Sequence, residues 1–405
     1  MSELYSLPKG WEWKKLGKIA KLQNGFAFKS KLFVNDGLPI VRIKNIKNEK
    51  VLLDDVVYFN VEDYGKKLDS YQIKKNDILL AMSGATTGKI GLYDTDEISY
   101  LNQRVGLFRI ENSNLRSYLF YFLSTQIEKN LELSLGAAQP NLSTEQINNI
   151  ELPLPPLEEQ KRIVAKLDNL FAKIDKAIAL HQKNIDEANV FMASVLNDVF
   201  VELDTNETIE LKYITSKIGS GSTPRGGQKA YKTEGITLIR SMNVHDNGFR
   251  IKGLAFIDDE QANKLDNVTI KENDILLNIT GASVARCCIV DKNYLPARVN
   301  QHVSIIRLDD KFIPNFLHYY LISPSVKSDL LFSSSGGATR EAITKSMLEE
   351  FKVPKISIIT QQKVVSYLDE ISKKMEKIKQ IQKEKMQSLK ALKASILDQA
   401  FKGEL

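Results

Sequence analysis

Apolar residues follow two different spacings along this chain, and regions with each spacing alternate. Short runs rich in branched and aromatic residues, such as LPIVRIKNI, NDILLAMSG and RVGLFRI, are separated by Gly, Asn and Asp. This pattern predicts short strands joined by turns. Two aromatic stretches, LRSYLFYFLSTQIEKNL and FLHYYLISPSVKSDLL, predict helices that follow the strands. We therefore expect mixed α/β globular parts.

Two longer segments contain almost no Gly or Pro and predict long helices. The first follows Pro155 and Pro156, which a helix start tolerates. In both segments the apolar residues step alternately by four and three, which is typical of a coiled-coil seam. The predicted seam consists of Ile163, Leu167, Leu170, Ile174, Ala177, His181, Asn184, Ala188, Phe191 and Val195 in the first helix, and of Val364, Leu368, Ile371, Met375, Ile378, Gln382, Lys385, Leu389, Leu392 and Ile396 in the second.

A polar pair interrupts both seams midway. An antiparallel pairing would bring His181 and Asn184 opposite Gln382 and Lys385. A central polar layer costs stability but fixes register, because any slip would place these groups against leucines. The alternative, in which each helix packs only on its own globular part, stays open at this point.

The chain repeats itself. Residues 67–80 (KLDSYQIKKNDILL) and 264–277 (KLDNVTIKENDILL) are identical at 10 of 14 positions. Gly37, Arg42, Asn45, Asn102, Gln103 and Arg109 recur at an offset of 198, and the offset is 201 from Gly136 onward. Each half of the chain is therefore predicted to be one globular part followed by one long helix.

Composition places few limits on function. The chain has 405 residues and 56 Lys plus Arg against 50 Asp plus Glu, a net charge of +6 that permits an anionic partner. Its two cysteines, Cys287 and Cys288, are adjacent and can supply neither a disulfide framework nor a four-ligand metal cage. No apolar run reaches about 18 residues, and the N-terminus does not resemble a signal peptide. We expect a cytoplasmic protein with no membrane association.

No catalytic set can be named from the sequence. The segment SGATTGK, residues 83–89, resembles a phosphate-binding loop, but it has Ser83 in place of the first Gly and Ile90 in place of Ser or Thr. The four histidines, His181, His245, His302 and His318, are scattered without a metal-binding pattern. There is no GxSxG, no GxGxxG and no Asn-Pro-Pro-aromatic tetrapeptide. The sequence predicts no catalytic residue and no metal site.

Basic and amide side chains on the predicted loops are the remaining candidates for chemistry. Arg pairs with guanine and Asn or Gln with adenine, so these types suit reading of a major groove, although they are also ordinary loop residues. The candidates in the first half are Arg42, Lys44, Asn45, Lys47, Thr86, Thr87, Lys89, Gln103 and Arg104, with Asn24, Phe26 and Phe28 between them. Those in the second half are Ser222, Thr223, Arg225, Gln228, Arg240, Asn243, His245, Ser283, Arg286, Gln301, His302 and Arg340.

Positions that differ between the two halves could read different DNA sequences. The sequence pairs Arg104 with His302, Lys44 with Ser241, Lys47 with Asp246 or His245, and Gln139 with Arg340. The paired occurrence of these residues in both halves, rather than any single one of them, favours DNA binding.

Three motifs resemble those of the DNA specificity subunits of type I restriction-modification systems. They are NDILLAMSGATTGKIG, LNQRV and GAAQPNLSTEQINNIELPLPPLEEQKRIVAKLD, and each is echoed in the second half. The second copy, ISIITQQKVV, keeps Pro354 and Gln361 but lacks the proline and acidic pairs. The resemblance implies an α/β (α+β) fold with two pseudo-repeated mixed α/β target recognition domains joined by two long helices that form an antiparallel coiled coil.

The resemblance also implies the partners. Each recognition domain would read one half of a split site on double-stranded DNA, and the chain would dock two methyltransferase subunits and then motor-nuclease (restriction) subunits. The chain itself would be non-catalytic, and S-adenosylmethionine, ATP and Mg²⁺ would bind to the partner subunits. The second helix carries nine Lys against five acidic residues over 369–402, which predicts either a methyltransferase docking surface or a solvated face.

The predicted domains are 1–157 and 201–357 for recognition, with 158–200 and 358–405 as helices. The first helix would contain 43 residues (200 − 158 + 1) and extend about 65 Å, so the helix pair would act as a rigid spacer. Half-site centres would then lie roughly 10 base pairs apart. Because the copies are not identical, the site would be asymmetric. The competing hypothesis is a duplicated coiled-coil protein-interaction scaffold that binds no DNA, and an enzyme acting alone is the weaker rival.

Overall fold

A computed structural model describes residues 5–64, 66–134, 141–203, 207–334 and 342–405. The chain divides into two compact units. Unit 1 comprises Met1–His181 and Glu384–Leu405, and unit 2 comprises Gln182–Lys383. This division cuts both long helices, so it does not test the predicted domain boundaries, which stay predictions.

Unit 1 contains the first set of strands and four helices ahead of the first long helix. Its strands are β1 Glu12–Lys15, β2 Leu22–Asn24, β3 Leu38–Val41, β4 Ile46–Lys47, β5 Glu49–Val51, β6 Val57–Phe59, β7 Gln72–Ile73, β8 Ile78–Ala81, β9 Ile90–Leu92, β10 Ser99–Leu101, β11 Val105–Phe108 and β12 Glu151–Leu154. Its helices are α1 Leu16–Ile19, α2 Ser113–Thr125, α3 Ile127–Ser134 and α4 Thr144–Asn148, followed by α5 Leu157–Glu202, which continues into unit 2.

Two mixed sheets form the centre of unit 1. One has the order β2-β11-β8-β9-β5-β4 and the other β6-β3-β10-β7, in which β3 and β10 run parallel. β1 pairs with β12 and brings the start of the chain beside the entry to α5. Ile78 and Leu80 point to the core under α2, whereas Leu79 and Ala81 point to a second core under the loops. The period of two expected of a strand therefore fills two cores at once.

Unit 2 repeats this architecture. Its strands are β13 Thr208–Glu210, β14 Thr215–Ser220, β15 Ile236–Ile239, β16 Val244–His245, β17 Gly248–Phe249, β18 Ala255–Ile257, β19 Ile275–Asn278, β20 Cys287–Ile289, β21 Ala297–Val299, β22 Val303–Leu308 and β23 Lys352–Pro354. Its helices are α6 Asp259–Asn263, α7 Pro314–Ile322, α8 Pro324–Ser334 and α9 Lys345–Glu349, followed by α10 Ile358–Lys402, which continues into unit 1. Its larger sheets have the orders β14-β22-β19-β20 and β18-β15-β21.

Short 3-10 helices connect many of these strands. In unit 1 they are Ser30–Leu32, Ile43–Asn45, Val61–Asp63, Lys66–Tyr71 and Gly84–Thr86, and in unit 2 they are Leu211–Tyr213, Gly227–Ala230, Ser241–Asn243, Asp266–Val268 and Lys292–Tyr294. The segments Ile43–Asn45 and Ser241–Asn243 occupy equivalent places, which aligns Lys44 with Met242. This corrects the expected pairing of Lys44 with Ser241. The hairpins that follow align Lys47 with His245.

The same ion pair, in which an arginine covers a buried carboxylate, occurs in both units. Arg109 donates to Asp77 through Nε at 2.9 Å and through Nη2 at 2.5 Å. Arg307 donates to Asp274 in the same way, at 2.7 and 2.6 Å. Each carboxylate also accepts a backbone N–H from three residues earlier, at 2.7 Å in both units. This bidentate geometry joins the last strand of each sheet to the turn before β8 or β19.

The two aromatic stretches predicted to be helical are helical, and each is divided into two helices. In unit 1 the break falls at Gln126, which ends α2 and separates it from α3. In unit 2 Pro324 follows Ser323 and begins α8, because proline ends one helix more readily than it continues it. Both predicted helical stretches are therefore present, each as two consecutive helices.

The two long helices are present as predicted. α5 has 46 residues and begins directly after Pro155 and Pro156. α10 has 45 residues and begins at the equivalent position, 157 + 201 = 358, although it has no proline pair. Its first turn is held by Ser357, whose Oγ accepts the N–H of Thr360 at 3.2 Å.

The helices run antiparallel. In unit 1 the last turns of α10, with Ile396, Ala400 and Phe401, share a core with Ile163 and Leu167 near the start of α5. In unit 2 Leu196 and Phe200 near the end of α5 share a core with Leu368 near the start of α10. The Asn184 amide nitrogen donates to Gln382 Oε1 at 3.3 Å, which confirms that part of the predicted polar layer.

The phase of the seam differs from the prediction. In α10 Met375, Gln382, Leu389 and Ile396 face inward as predicted, but Ile378, Lys385 and Leu392 are exposed. In their place Lys379, Met386 and Lys393 line the inner side. In α5 Asn184 and Phe191 are exposed, and Ile185, Met192 and Leu196 lie further inward. Alternating steps of four and three residues fix one row of the seam, which in α10 is the row of Met375, but they allow the second row to lie on either side of it. Packing against the globular parts turns the row of Lys379 inward instead of the predicted row of Ile378. Among the described residues, none of the helices is both long and apolar enough to cross a membrane.

Candidate nucleic-acid interface

Three loops converge at one edge of unit 1. The turn between β10 and β11 carries Gln103 and Arg104, and the carbonyl of Arg104 accepts the N–H of Met82 at 3.0 Å. Met82 leads into the loop 83–89. A Cβ added at Gly84 in that loop would lie 3.2 Å from Ile43, so the loop also touches the 3-10 helix Ile43–Asn45. The predicted candidates of this half therefore come together on three neighbouring loops.

Unit 2 builds the same edge with equivalent contacts. Ile279 N–H donates to the carbonyl of His302 at 3.0 Å. The buried Asn278 then donates from Nδ2 to the carbonyl of Ser241 at 2.9 Å and to Ser283 Oγ at 3.1 Å. These contacts join the turn between β21 and β22 to the loop 279–286 and to the 3-10 helix Ser241–Asn243.

The turn at the centre of each edge is held from below. In unit 1 Asn102 Oδ1 accepts the N–H of Arg104 at 3.3 Å, and in unit 2 Asn300 Oδ1 accepts that of His302 at 3.1 Å. In unit 2 Gly221, which directly follows β14, lies against the last residue of β21. A Cβ at Gly221 would lie 1.7 Å from the carbonyl oxygen of Val299, so only glycine fits at this position. Gln103, Arg104 and Gln301 are exposed at the tips, and His302 is half-buried.

Two predicted candidates are structural instead. Asn45 and Asn243 are buried, at 1% and 0% exposure. Each Oδ1 accepts the backbone N–H of the arginine three residues earlier, at 2.9 and 3.1 Å. Each Nδ2 donates to a carbonyl across the loop, at 3.0 and 2.9 Å. Their amides are occupied in holding the loop, so the structure corrects the expectation that they face DNA.

The candidates on the loop 83–89 of unit 1 also include both structural and exposed residues. Thr87 is buried and its hydroxyl donates to the carbonyl of Gly84 at 2.7 Å, which corrects its assignment as an exposed contact. Thr86 Oγ1 is buried and has no hydrogen-bond partner among the described residues. Lys89 is exposed. The loop forms a 3-10 turn between two strands and not a phosphate loop that opens an α-helix.

Several basic candidates have partners inside the chain. Lys44 Nζ pairs with Asp55 at 2.6 Å, and this hydrogen bond lowers the pKa of the Asp55 carboxyl. Arg240 Nη2 donates to the carbonyl of Gly253, and its guanidinium lies 5.2 Å from the ring centroid of Tyr231. The Nε atoms of Arg42 and Arg240 are both buried without a hydrogen-bond partner in the described parts of the chain.

The aromatic residues expected between the polar candidates belong to a core. Phe26 and Phe28 lie 5.1 Å apart, edge to face, and both pack on Tyr64. Asn24 Nδ2 donates to Thr144 Oγ1 at 3.0 Å. Phe28 is buried in this core and Phe26 is partly buried against it, so packing accounts for both rings.

The remaining candidates differ in exposure. Lys47, Ser222, Arg225 and Gln228 are exposed, while Ser283 and Arg286 are partly exposed. His245 Nε2 lies 3.1 Å from the carbonyl of Met242, and partial burial lowers the pKa of its imidazole. Gln139 and Arg340 lie outside the described residues.

The sequence prediction missed Thr280. Its hydroxyl lies 2.5 Å from His302 Nδ1, and His302 Nε2 lies 3.2 Å from the amide nitrogen of Gln301. The Thr223 hydroxyl donates to the other end of that amide, Oε1. Register within the repeat aligns Thr280 with Ser83, since both bridge to the segment before α4 or α9. That alignment was the signal from which Thr280 could have been found.

The edges contain polar groups suited to hydrogen bonding with base edges and phosphates. In the described ranges, no cluster of three or more His, Cys, Asp or Glu lies close enough to hold a metal ion. Cys287 and Cys288 are buried, and burial raises the pKa of both thiols, to about 12 for Cys288. These thiols are therefore poor nucleophiles.

Comparison with known proteins gives a consistent match over both halves. Residues 8–189 and 203–385 each match the type I restriction modification DNA specificity domain. The type I restriction enzyme EcoBI specificity subunit of Escherichia coli is 27% identical over 436 residues, which cover 99% of this chain and 88% of that protein. The MjaVIII specificity subunit of Methanocaldococcus jannaschii is 34% identical over 203 residues, 48% of this chain and 47% of its own length.

A solved structure shows the same fold. It concerns complex assembly and conformational transition of a type I restriction-modification system, and the matching chain is aligned over 99% of this chain and 100% of its own length. The TM-score is 0.70 and the sequence identity 22%. The predicted fold class, two repeated α/β parts with an antiparallel pair of long helices, is therefore confirmed.

Proposed function

This chain belongs to the type I restriction-modification DNA specificity family, and we propose that it is the non-catalytic subunit that selects DNA sites for such a complex. The observation that carries this proposal is the repeated edge, where Gln103 and Gln301 stand exposed on equivalent turns among basic side chains. Exposed amide and guanidinium groups on neighbouring loops are the groups that read base edges in a major groove.

Each unit would read one half of a bipartite, asymmetric site. The turns and their supporting asparagines are the same in both units, so the two edges can approach DNA in the same way. The residues at the tips differ: Arg104 corresponds to His302, Lys44 to Met242, and Lys47 to His245. A guanidinium has only donors, whereas an imidazole can also accept a hydrogen bond, so the two edges would prefer different bases.

The long helices would set the spacer between the half-sites and dock two methyltransferase subunits, to which motor-nuclease subunits then bind. Support comes from the outer faces of the helices, which carry exposed apolar side chains such as Val190, Phe191 and Tyr367. In this proposal the partner subunits hold S-adenosylmethionine, ATP and Mg²⁺ and perform methylation and cleavage. This chain contributes the choice of site.

Co-expression with the cognate methyltransferase subunit in a methylation-free host tests the proposal. We expect single-molecule sequencing to reveal methylated adenines in one two-part asymmetric motif. Arg104→Ala and Arg286→Ala, made separately, should each alter a different half of the motif, which assigns each half to its unit. Lys264→Ala, which also removes one positive charge, is the control, because Lys264 lies directly after α6 and forms an exposed pair with Glu260.

The competing scaffold hypothesis predicts a different result. If the complex assembles and the methyltransferase is competent but the DNA stays unmodified, the chain does not select sites and the scaffold interpretation is favoured. If both arginine variants change the same half, the assignment of one half-site to each unit is wrong.

A further inference from the structure

Four polar side chains form a continuous hydrogen-bonded chain at the edge of unit 2. The Thr223 hydroxyl donates to Gln301 Oε1. Gln301 Nε2 lies 3.2 Å from His302 Nε2, and His302 Nδ1 lies 2.5 Å from Thr280 Oγ1. The exposed amide of Gln301 is therefore held at one end by Thr223 from another loop and at the other end by His302, the next residue of its own turn, which Thr280 holds in place. A glutamine on a surface turn would otherwise have three freely rotating torsions to order upon binding.

The donors and acceptors of this hydrogen-bonded network all point one way, and two opposite directions are possible. An amide nitrogen can only donate, so His302 Nε2 accepts from Gln301, and Nδ1 carries the imidazole proton and donates to Thr280. If the Gln301 amide is rotated by 180°, donor and acceptor exchange in every one of these hydrogen bonds, and all of the bonds can still form. In both directions Gln301 uses one lone pair of Oε1 or one N–H of Nε2 for each internal contact.

The same count defines what Gln301 can offer to a ligand. An amide oxygen has two lone pairs and an amide nitrogen has two N–H groups. After the two internal contacts, one lone pair and one N–H remain. This pair matches the major-groove edge of adenine, which presents N7 as an acceptor and the N6 amino group as a donor.

Among its described residues, unit 1 lacks each link of this hydrogen-bonded network. Ala27 follows Gly25 by two residues, as Thr223 follows Gly221, and it has no hydroxyl. Arg104 replaces His302, and a guanidinium cannot accept a hydrogen bond from an amide. Ser83, the counterpart of Thr280, has a buried Oγ without a partner among the described residues. The identical glutamine is therefore fixed in one unit only.

We propose that Gln301, positioned by Thr223 and His302, reads one adenine in the half-site of unit 2. Among the described residues of unit 1, Gln103 has no such support, and the exposed Arg104 lies beside it at the tip. This inference rests on the proposed function, because it assumes that the edge of unit 2 faces DNA. It makes His302 and Thr223 positioning residues that determine specificity without contacting the base.

The experiment uses the full chain in complex with its methyltransferase and duplexes built on the motif found by sequencing. At each adenine of the unit 2 half-site, 7-deazaadenine removes N7 and purine removes the N6 amino group. The variants are Gln301→Ala, Thr223→Ala, Thr223→Ser and His302→Arg, with Gln362→Ala on the exposed side of α10 as a matched control. Binding is measured for each combination at one fixed salt concentration.

We expect the wild-type complex to prefer one adenine over the other bases by roughly 5- to 150-fold, and Gln301→Ala to lose that preference. The analogues should weaken wild-type binding at that adenine and have no further effect on Gln301→Ala. Thr223→Ala and His302→Arg should lose part of the preference, while Thr223→Ser and Gln362→Ala keep it. If Thr223 and His302 only stabilised the fold, substituting them would not change the base preference at a single base pair.

Two results would overturn the inference. Gln301→Ala could retain the full preference at every base pair, or it could weaken binding equally at all of them. Both results leave the proposed function intact, because the two-part motif would still be found. If the wild-type complex had no two-part motif, the proposed function itself would fail first, so the two failures are distinguishable.

Discussion

At the scale of single residues, the repeated Arg–Asp pair joins each sheet to the turn that begins its central strand. Asp274 is fully buried and Arg307 is 21% exposed, so removing the arginine leaves a carboxylate with no counter-charge. We predict that Arg307→Met lowers the free energy of unfolding by about 3 kcal/mol, at the lower end for a broken buried pair, because part of Arg307 reaches solvent. Urea unfolding of the full chain measures this change.

The exposed pair between Lys264 and Glu260 provides the control for that experiment. Their side chains are 71% and 82% exposed. Lys264→Met should therefore change the free energy of unfolding by less than about 0.5 kcal/mol. Equal losses in the two variants would show that the buried pair has no special role.

His318 makes the stability of unit 2 depend on pH. Burial lowers the pKa of its imidazole below the ordinary 6.5, against the opposing effects of the Cys287 carbonyl, Asp246 and Asp369. The unfolded chain therefore binds a proton at a pH where the folded chain does not. The contribution is complete above about pH 6.5 and is lost as the pH falls through the lowered pKa of the folded state.

The other half of the chain suggests the matched variant, since Phe120 stands where unit 2 has His318. We predict that His318→Phe makes the stability decline less steeply on acidification below pH 6.5 than in the wild type. Urea midpoints of both proteins at a series of pH values test this. Curves of equal slope below pH 6.5 would contradict the prediction, whether or not one lies above the other; a difference in stability that is the same at every pH reflects packing and not the titration of His318.

Residue types alone could not separate reading residues from holding residues. Asn45 and Gln103 are both amides on loops and both recur in the second half, so the sequence alone makes them equally good candidates for contacts with DNA. The structure separates them because Asn45 meets an N–H and a carbonyl of its own loop, at 2.9 and 3.0 Å, whereas Gln103 is exposed. Which loops meet is decided by strand pairing between distant segments, and that information is not local.

At the scale of elements, the seam of the long helices gives a sharp test. Ile396 is 9% exposed and packs in the core of unit 1, while Leu392 is 48% exposed. We predict that Ile396→Ala costs about 2 to 4 kcal/mol of unfolding free energy and Leu392→Ala less than about 0.5. The sequence prediction, which placed both residues in the seam, requires similar costs. Thermal or urea unfolding of the two variants distinguishes the two phases.

The sequence predicted which elements form, but not which side of each long helix packs inward. The alternation of apolar residues located β3, β8 and β11 and their counterparts, and the absence of Gly and Pro located α5 and α10. The phase of the seam depends on which side of a helix the globular part covers. Lys393 shows this: it lies on the inner side because its Nζ meets Asp175 at 3.2 Å and the Phe171 ring at 4.7 Å. A lysine in a seam is not predictable from hydrophobic spacing.

The two units have also diverged away from the loop edge. The positions of Lys393, Phe171 and Asp175 correspond to Met192, Ser372 and Glu376 in unit 2, by the offset of 201. There they line a cavity of about 460 Å³. A serine in place of a phenylalanine removes the ring that fills this place in unit 1. The sheets and the helix pair are thus retained in both units, whereas the side chains around them differ.

At the scale of the whole molecule, the chain consists of one module used twice. Elements that both units share, such as the supporting asparagines and the Arg–Asp pair, hold the loops in place. Elements that differ, such as Arg104 and His302, stand at the tips. If the proposed function is right, a change at a tip alters one half-site, and a change in a long helix leaves both half-sites as they are.

The spacer prediction follows from this separation. Inserting four residues at the middle of both α5 and α10 adds about 6 Å to each helix, which is about two base pairs of DNA at roughly 3.4 Å per base pair. An insertion of four retains an apolar seam while changing its local winding. We predict that the methylated motif gains spacer base pairs while both half-sites keep their sequences, as measured by single-molecule sequencing of DNA from the co-expressing host.

An insertion in only one helix is the control, because unequal helices cannot keep the antiparallel seam in register, and complex formation should then be lost. A changed half-site in the double insertion would contradict the idea that the helices act as a spacer, since no loop residue has been altered. An unchanged spacer in a folded, active complex would mean that the distance between half-sites is set by the partner subunits. The experiment therefore separates a property of this chain from a property of the assembly.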